Sequence, residues 1–142
     1  MSETDERRLQ VLEALLEDAA ADLEMAQLGA NVGNRLAAFH VQQAAEKLVK
    51  ALRARHSLPL TASHDIEELI EGNPDKRLAS IPRNAPARSE LLGLSRLTEY
   101  ATAYRYPTPS GRRKEVPVQR LRADIESVGE LLTKLRKELL PA

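Results

Sequence analysis

The chain reads as an all-α protein, a four- to five-helix up-down bundle in a single domain over residues 1–142. Three observations predict this. Apolar residues recur at alternating spacings of three and four along most of the chain, the period of one helix face. No stretch alternates apolar and polar residues for long enough to form a strand. Clusters of Gly, Asn and Pro interrupt the periodic stretches, and the short connections between them favour antiparallel neighbours.

The first helix is expected from about Thr4 to Leu28, with Leu9, Leu12, Leu16, Ala19, Leu23 and Ala26 on one face. Gly29, Asn31, Gly33 and Asn34 should break it. Asn34 suits the N-cap of a second helix that runs to about His56. Leu58-Pro59-Leu60-Thr61 reads as a turn. Ser63 can cap a short third helix, His64 to Glu71, whose first-turn acids suit the helix dipole. Gly72-Asn73-Pro74 closes it, and residues 73–87, with three prolines, read as loop with one helical turn.

A fourth helix is expected from Pro86–Ser89 through Leu91, Leu94, Leu97 and Ala101 to about Tyr104. Pro107, Pro109, Ser110 and Gly111 then make a loop, and Pro117 suits the first position of the last helix. In that helix Val118, Leu121, Ile125, Val128, Leu132, Leu135 and Leu139 keep a strict three–four spacing. Such a seam serves either the bundle or a coiled-coil contact with another chain.

Composition excludes several classes. There is no cysteine, so disulfides, thiolate metal sites and cysteine nucleophiles are ruled out. No run of about 18 apolar residues could span a membrane. The charged N-terminal stretch lacks the apolar core of a signal peptide, so a cytoplasmic location is expected. The 21 basic and 21 acidic residues balance, which argues against wholesale coating of nucleic acid. Local basic patches remain: Arg105, Arg112, Arg113 and Lys114, and Lys47, Lys50, Arg53 and Arg55.

The three tyrosines, Tyr100, Tyr104 and Tyr106, all fall within seven residues and end on Arg105-Tyr106-Pro107. Elsewhere the only aromatic residue is Phe39. A core this poor in rings does not need them, so a local role is expected: flat faces with polar tips beside a planar guanidinium. On the second helix His40, Gln43, Lys47 and Lys50 share one polar stripe. That stripe is either a solvated face with a Glu46–Lys50 pair or the wall of a cleft. His64-Asp65 reads first as a helix-start cap, because adjacent helical residues point about 100° apart. His40, His56 and His64 lack the spacing of a metal site, and there is no phosphate loop or nucleophile elbow. No metal, cofactor or catalytic residue is assigned.

Three stretches taken in order resemble the HEPN family of small prokaryotic helical domains. They are Phe39-His40 with Gln43-Ala44-Ala45-Glu46-Lys47 and Lys50-Ala51-Leu52, then His64-Asp65-Ile66 with Leu69, then Leu97, Tyr100 and Tyr104-Arg105-Tyr106-Pro107. The resemblance covers roughly residues 8–138. It implies a helical homodimer and a partner, a minimal nucleotidyltransferase, often in a toxin–antitoxin pair. It also implies, for many members, metal-independent ribonuclease activity from an Arg followed four to six residues later by a His.

This chain departs from that last pattern. No His lies between Arg96 and Tyr104, and none follows Arg105. Arg35 and His40 match the spacing, but their side chains would sit about 140° apart on a helix. In some relatives the transferase attaches AMP to a tyrosine near the motif, and Tyr104 is the nearest counterpart. The resulting expectation is a non-catalytic nucleotide-binding or accessory subunit. Tyr104, Arg105 and Tyr106 would line the site, with His40, Gln43 and Lys47 contributing if the second helix faces the same cleft. Tyrosines would stack on a base and Arg105 would meet a phosphate or RNA backbone. The alternatives are a toxin ribonuclease with an altered site and a plain dimerisation module.

Overall fold

The computed structural model describes residues 2–104, 106–112, 114–115 and 117–141. The described chain is all-helical, with three long helices, α1 (Glu3–Asn31), α2 (Leu36–Arg55) and α5 (Val118–Leu139). Short α3 (Ile66–Glu71) and α4 (Arg88–Leu92) lie between them, with 3₁₀ segments at Pro74–Lys76 and Ser95–Ala101.

α1 begins on a capping box. Ser2 Oγ accepts from the Asp5 amide at 3.1 Å, and the Asp5 carboxylate accepts from the Ser2 amide and hydroxyl. The helix runs past Gly29 because that glycine allows close approach to α2: a Cβ there would lie 3.1 Å from Ala37 Cβ. Alanines at 37, 38, 44, 45, 51 and 54 are buried, so α2 can pack closely on its neighbours. Asn34 acts where a cap was expected, its side chain accepting from the Leu36 amide at 2.8 Å, although the helix itself starts at Leu36. α2 is the central element. It packs on α1 and α5, and on its other side on α3, α4 and the Ser95–Ala101 segment.

The α5 seam is internal. Leu121, Val128, Leu132, Leu135 and Leu139 are buried, so of the two expected uses of that pattern the bundle takes it. The expected fourth helix is broken at Gly93 into α4 and a 3₁₀ segment. Leu94, Leu97 and Tyr100 are buried three residues apart, the repeat of a 3₁₀ helix and not of an α-helix.

Arg53 was expected in a basic surface patch, and that expectation was wrong. It is fully buried. Its Nε donates to Pro59 O at 3.0 Å, and Nη1 donates to Leu69 O and Ala79 O at 2.9 and 2.8 Å. One guanidinium thus ties together the turn after α2, the end of α3 and the strandless loop beyond it. Burial lowers its pKa from the usual range. Gly72 ends α3 at φ 79°, with Leu78 O only 2.6 Å from where a Cβ would stand.

Candidate nucleotide site

The tyrosine segment is organised by Asp124, an acid on the buried face of α5. Asp124 Oδ2 accepts from Tyr100 Oη at 3.0 Å and from Arg96 Nη1 at 3.0 Å, while Oδ1 accepts from Arg96 Nη2 at 2.5 Å. This bidentate, charge-assisted geometry holds the Ser95–Ala101 segment on α5. Burial pushes the Tyr100 hydroxyl up to about 12, and the Asp124 charge adds to the shift. The Asp124 hydrogen bond raises the pKa of Arg96. Tyr100 is therefore a core residue, against the expectation that all three rings serve a local surface role.

Tyr104 packs edge-on to Tyr100, with ring centroids 5.5 Å apart and planes 69° apart, and stays partly accessible. Tyr106 is 58% exposed. The rings thus grade from a locked Tyr100 through a half-buried Tyr104 to an open Tyr106. Arg105, expected to meet phosphate, lies outside the described residues, as does Arg113 of the same basic patch.

The α2 stripe forms a second cluster. His40 Nδ1 lies 3.1 Å from Asp22 Oδ1, and Lys47 Nζ donates to Asp22 Oδ2, so one α1 carboxylate holds two of the expected site residues. Gln43 Nε2 donates to Gln42 Oε1 at 2.8 Å. Gln42 in turn donates to Glu46, whose carboxylate also accepts from Lys50 at 3.0 Å. The expected Glu46–Lys50 pair is thus present, yet it is no solvated pair, because Glu46 is 2% exposed.

His64 Nδ1 sits 3.0 and 3.2 Å from the two Glu46 oxygens. A carboxylate only accepts, so Nδ1 donates, and the His64 side chain is 67% exposed. Asp65 is the α3 cap, accepting from the Glu68 amide at 3.3 Å.

The structure thus brings His40 and Lys47 together on Asp22, while Gln43 belongs to the separate Gln42–Glu46 network. The ring contact of Tyr104 is to Tyr100 and not to any of these three. Asp22, Glu46 and Asp124 were missed as organisers. Two of them left a trace in the sequence. Asp124 is three residues after Leu121 and four before Val128, a charged residue at core spacing. Glu46 shares a stripe with Gln42, Val49 and Arg53, all of them buried. Asp22 left none, since its partners depend on the register between two helices.

A family model for the HEPN domain matches residues 12–139. The chain belongs to the HEPN domain family. The match spans nearly the whole chain, from within α1 to the end of α5. HEPN membership makes it a helical module of a nucleotide- and RNA-related class. No match is found among curated proteins or among solved structures. Among the described residues, no group of three or more acidic or histidine side chains is placed to hold a metal ion, and no helix is long and apolar enough to cross a membrane.

Proposed function

We propose that this HEPN chain is a nucleotide-binding accessory subunit. It works as a cytoplasmic homodimer with a minimal nucleotidyltransferase, in a toxin–antitoxin pair. Tyr104 and Tyr106 stack on a base, and Arg105 between them meets the phosphate of a nucleotide or RNA. The observation that carries the reading is the tyrosine segment: Tyr100, fixed by Asp124, packs edge-on with the half-buried Tyr104, and Tyr106 two residues on is 58% exposed. His40, Gln43 and Lys47 are assigned to the same site across the dimer. Their fixed side chains, held by Asp22 and Gln42, suit a preorganised phosphate contact. The test is calorimetric titration with ATP and with AMP. Tyr104→Ala and Lys47→Ala should each weaken binding about tenfold or more; unchanged affinity in both would end the assignment.

One observation favours a second reading, a metal-independent ribonuclease. His64 is held through Nδ1 by the buried Glu46 and its side chain is 67% exposed, the arrangement of an imidazole positioned to move protons. Cleavage of a labelled single-stranded RNA in the presence of chelator, lost in His64→Gln, would establish it. Intact RNA would leave the binding subunit.

A further inference from the structure

α1 is apolar on two opposite faces. The inner face, Leu12, Leu16, Ala19, Ala26 and Ala30, is buried in the bundle. The outer face, roughly 150° away at 100° per residue, carries Val11, Ala14, Ala21, Met25, Leu28 and Val32, with Asp18 as its one polar position. Spacings along it alternate three and four without a break, the register of a coiled-coil seam. All seven residues are exposed, Met25 to 51%, Leu28 to 55% and Val32 to 79%. Single exposed apolar residues are ordinary, whereas a continuous apolar stripe marks an interaction surface.

Charge decides what fits the seam. From Leu9 to Asn34 the chain carries Glu13, Glu17, Asp18, Asp22 and Glu24 and no Lys or Arg. Asp22 is taken by Lys47 and His40, and the other four acids make no salt bridge among the described residues. Glu17 and Glu24 flank the seam on one side. If a second copy packed antiparallel on this face, Glu17 would meet Glu24, acid against acid, and between Leu9 and Asn34 neither copy offers a Lys or Arg to pair with Glu17 or Glu24, which disfavours self-pairing. Beside Glu24, a groove of about 590 Å³ between α1 and α5 extends the apolar target with Leu23, Ile125 and Leu132; its charged lining is Glu24 and Glu126 with Arg122 on the α5 side, so acids outnumber the one cation there.

We propose that the outer face of α1 docks an amphipathic helix of another protein, one apolar along its own seam and bearing Lys or Arg at the flanking positions. This inference is independent of the nucleotide reading, since none of its residues belongs to that site.

The test uses the full chain and two synthetic helical peptides with the same Leu seam, one flanked by Lys and one by Glu. Calorimetry should show saturable binding of the Lys-flanked peptide and binding of the Glu-flanked one at least roughly tenfold weaker. Met25→Gln/Leu28→Gln should lower affinity for the Lys-flanked peptide by a similar factor while leaving helicity and the urea midpoint unchanged. Glu17→Lys/Glu24→Lys should reverse the preference between the peptides. Equal binding of both peptides, or binding indifferent to Met25→Gln/Leu28→Gln, would overturn the proposal. So would sedimentation of the chain alone as a dimer that Met25→Gln/Leu28→Gln dissociates, for the occupant would then be a second copy.

Discussion

Replacing Tyr100 by Phe removes one hydroxyl from a buried network and leaves the ring in place. Tyr100 is 6% exposed and its partner Asp124 is 3% exposed. A hydrogen bond to a buried charge contributes about 1.5–3 kcal/mol. Asp124 Oδ2 keeps its bond from Arg96 Nη1 in the variant, so the expected loss is at the low end, about 1–2 kcal/mol. Asp124→Ala goes further. It leaves the Tyr100 hydroxyl buried without a partner, at about 1–3 kcal/mol. It also frees Arg96, which is 44% exposed and rehydrates, adding no more than about 1 kcal/mol. The total is about 1–4 kcal/mol.

Urea unfolding at constant m measures both variants. The double variant decides the matter: in the Asp124→Ala background, Tyr100→Phe should be neutral or stabilising, because it then removes an unpaired group. If Tyr100→Phe costs the same in both backgrounds, the network does not hold the segment and the reasoning fails. A pH arm follows from the raised hydroxyl. The unfolded Tyr100 ionises near 10 and the folded one near 12, so above pH 10 the folded state holds a proton that the unfolded state has released. Stability therefore falls as pH rises from 10 to 12, with a slope approaching about 1.4 kcal/mol per pH unit from this group. Tyr100→Phe should remove that component of the slope.

Other expectations concern the scaffold. Arg53→Met should cost about 3–5 kcal/mol in urea unfolding, because the Pro59, Leu69 and Ala79 carbonyls lose a shared donor, and hydrogen exchange should quicken in residues 57–81 first. Gly72→Ala should destabilise by about 3 kcal/mol or more, since the backbone holds φ 79° and a Cβ would press on Leu78 O at 2.6 Å; Gly72→Ala unfolding at the wild-type midpoint would contradict this. Gly129→Ala should stabilise by about 0.5–1 kcal/mol and raise the urea midpoint accordingly, because nothing lies within 4 Å of the added Cβ and the position is interior to α5. Asn73→Ala should lower stability at neutral pH and flatten its fall in acid, measured by urea unfolding between pH 7 and pH 2. Asn73 is the first cause holding the Glu68 carboxyl near 2, so its stabilisation is present above pH 4.5 and fades as pH falls toward 2.

The sequence disclosed the helical architecture because apolar periodicity reports burial directly. α1, α2 and α5 each appear where three–four spacing predicts them, within three residues at either end. The break in the fourth helix was missed, although Leu91, Leu94, Leu97 and Tyr100 repeat every three residues, the spacing of a 3₁₀ helix. The buried polar groups were harder to foresee. Arg53 looks like one more basic residue on a charged helix, and only the packing of distant loops shows that three carbonyls converge on it. The link between Glu46 and His64 spans 18 residues and depends on how α3 docks on α2. The second seam on α1 was masked by the first, because a helix apolar on opposite faces shows little net amphipathicity.

Tyrosine fluorescence during titration with ATP and with a short single-stranded RNA tests the central claim most directly. All three tyrosines lie between residues 100 and 106, two of them in the proposed site and the buried Tyr100 packed against Tyr104, so the signal arises from the site and its immediate support. A saturable change with either ligand, lost in Arg105→Ala while the RNA stays intact by mass spectrometry, is the predicted result. No change with either ligand would contradict a nucleotide-binding role for the Tyr104–Tyr106 segment.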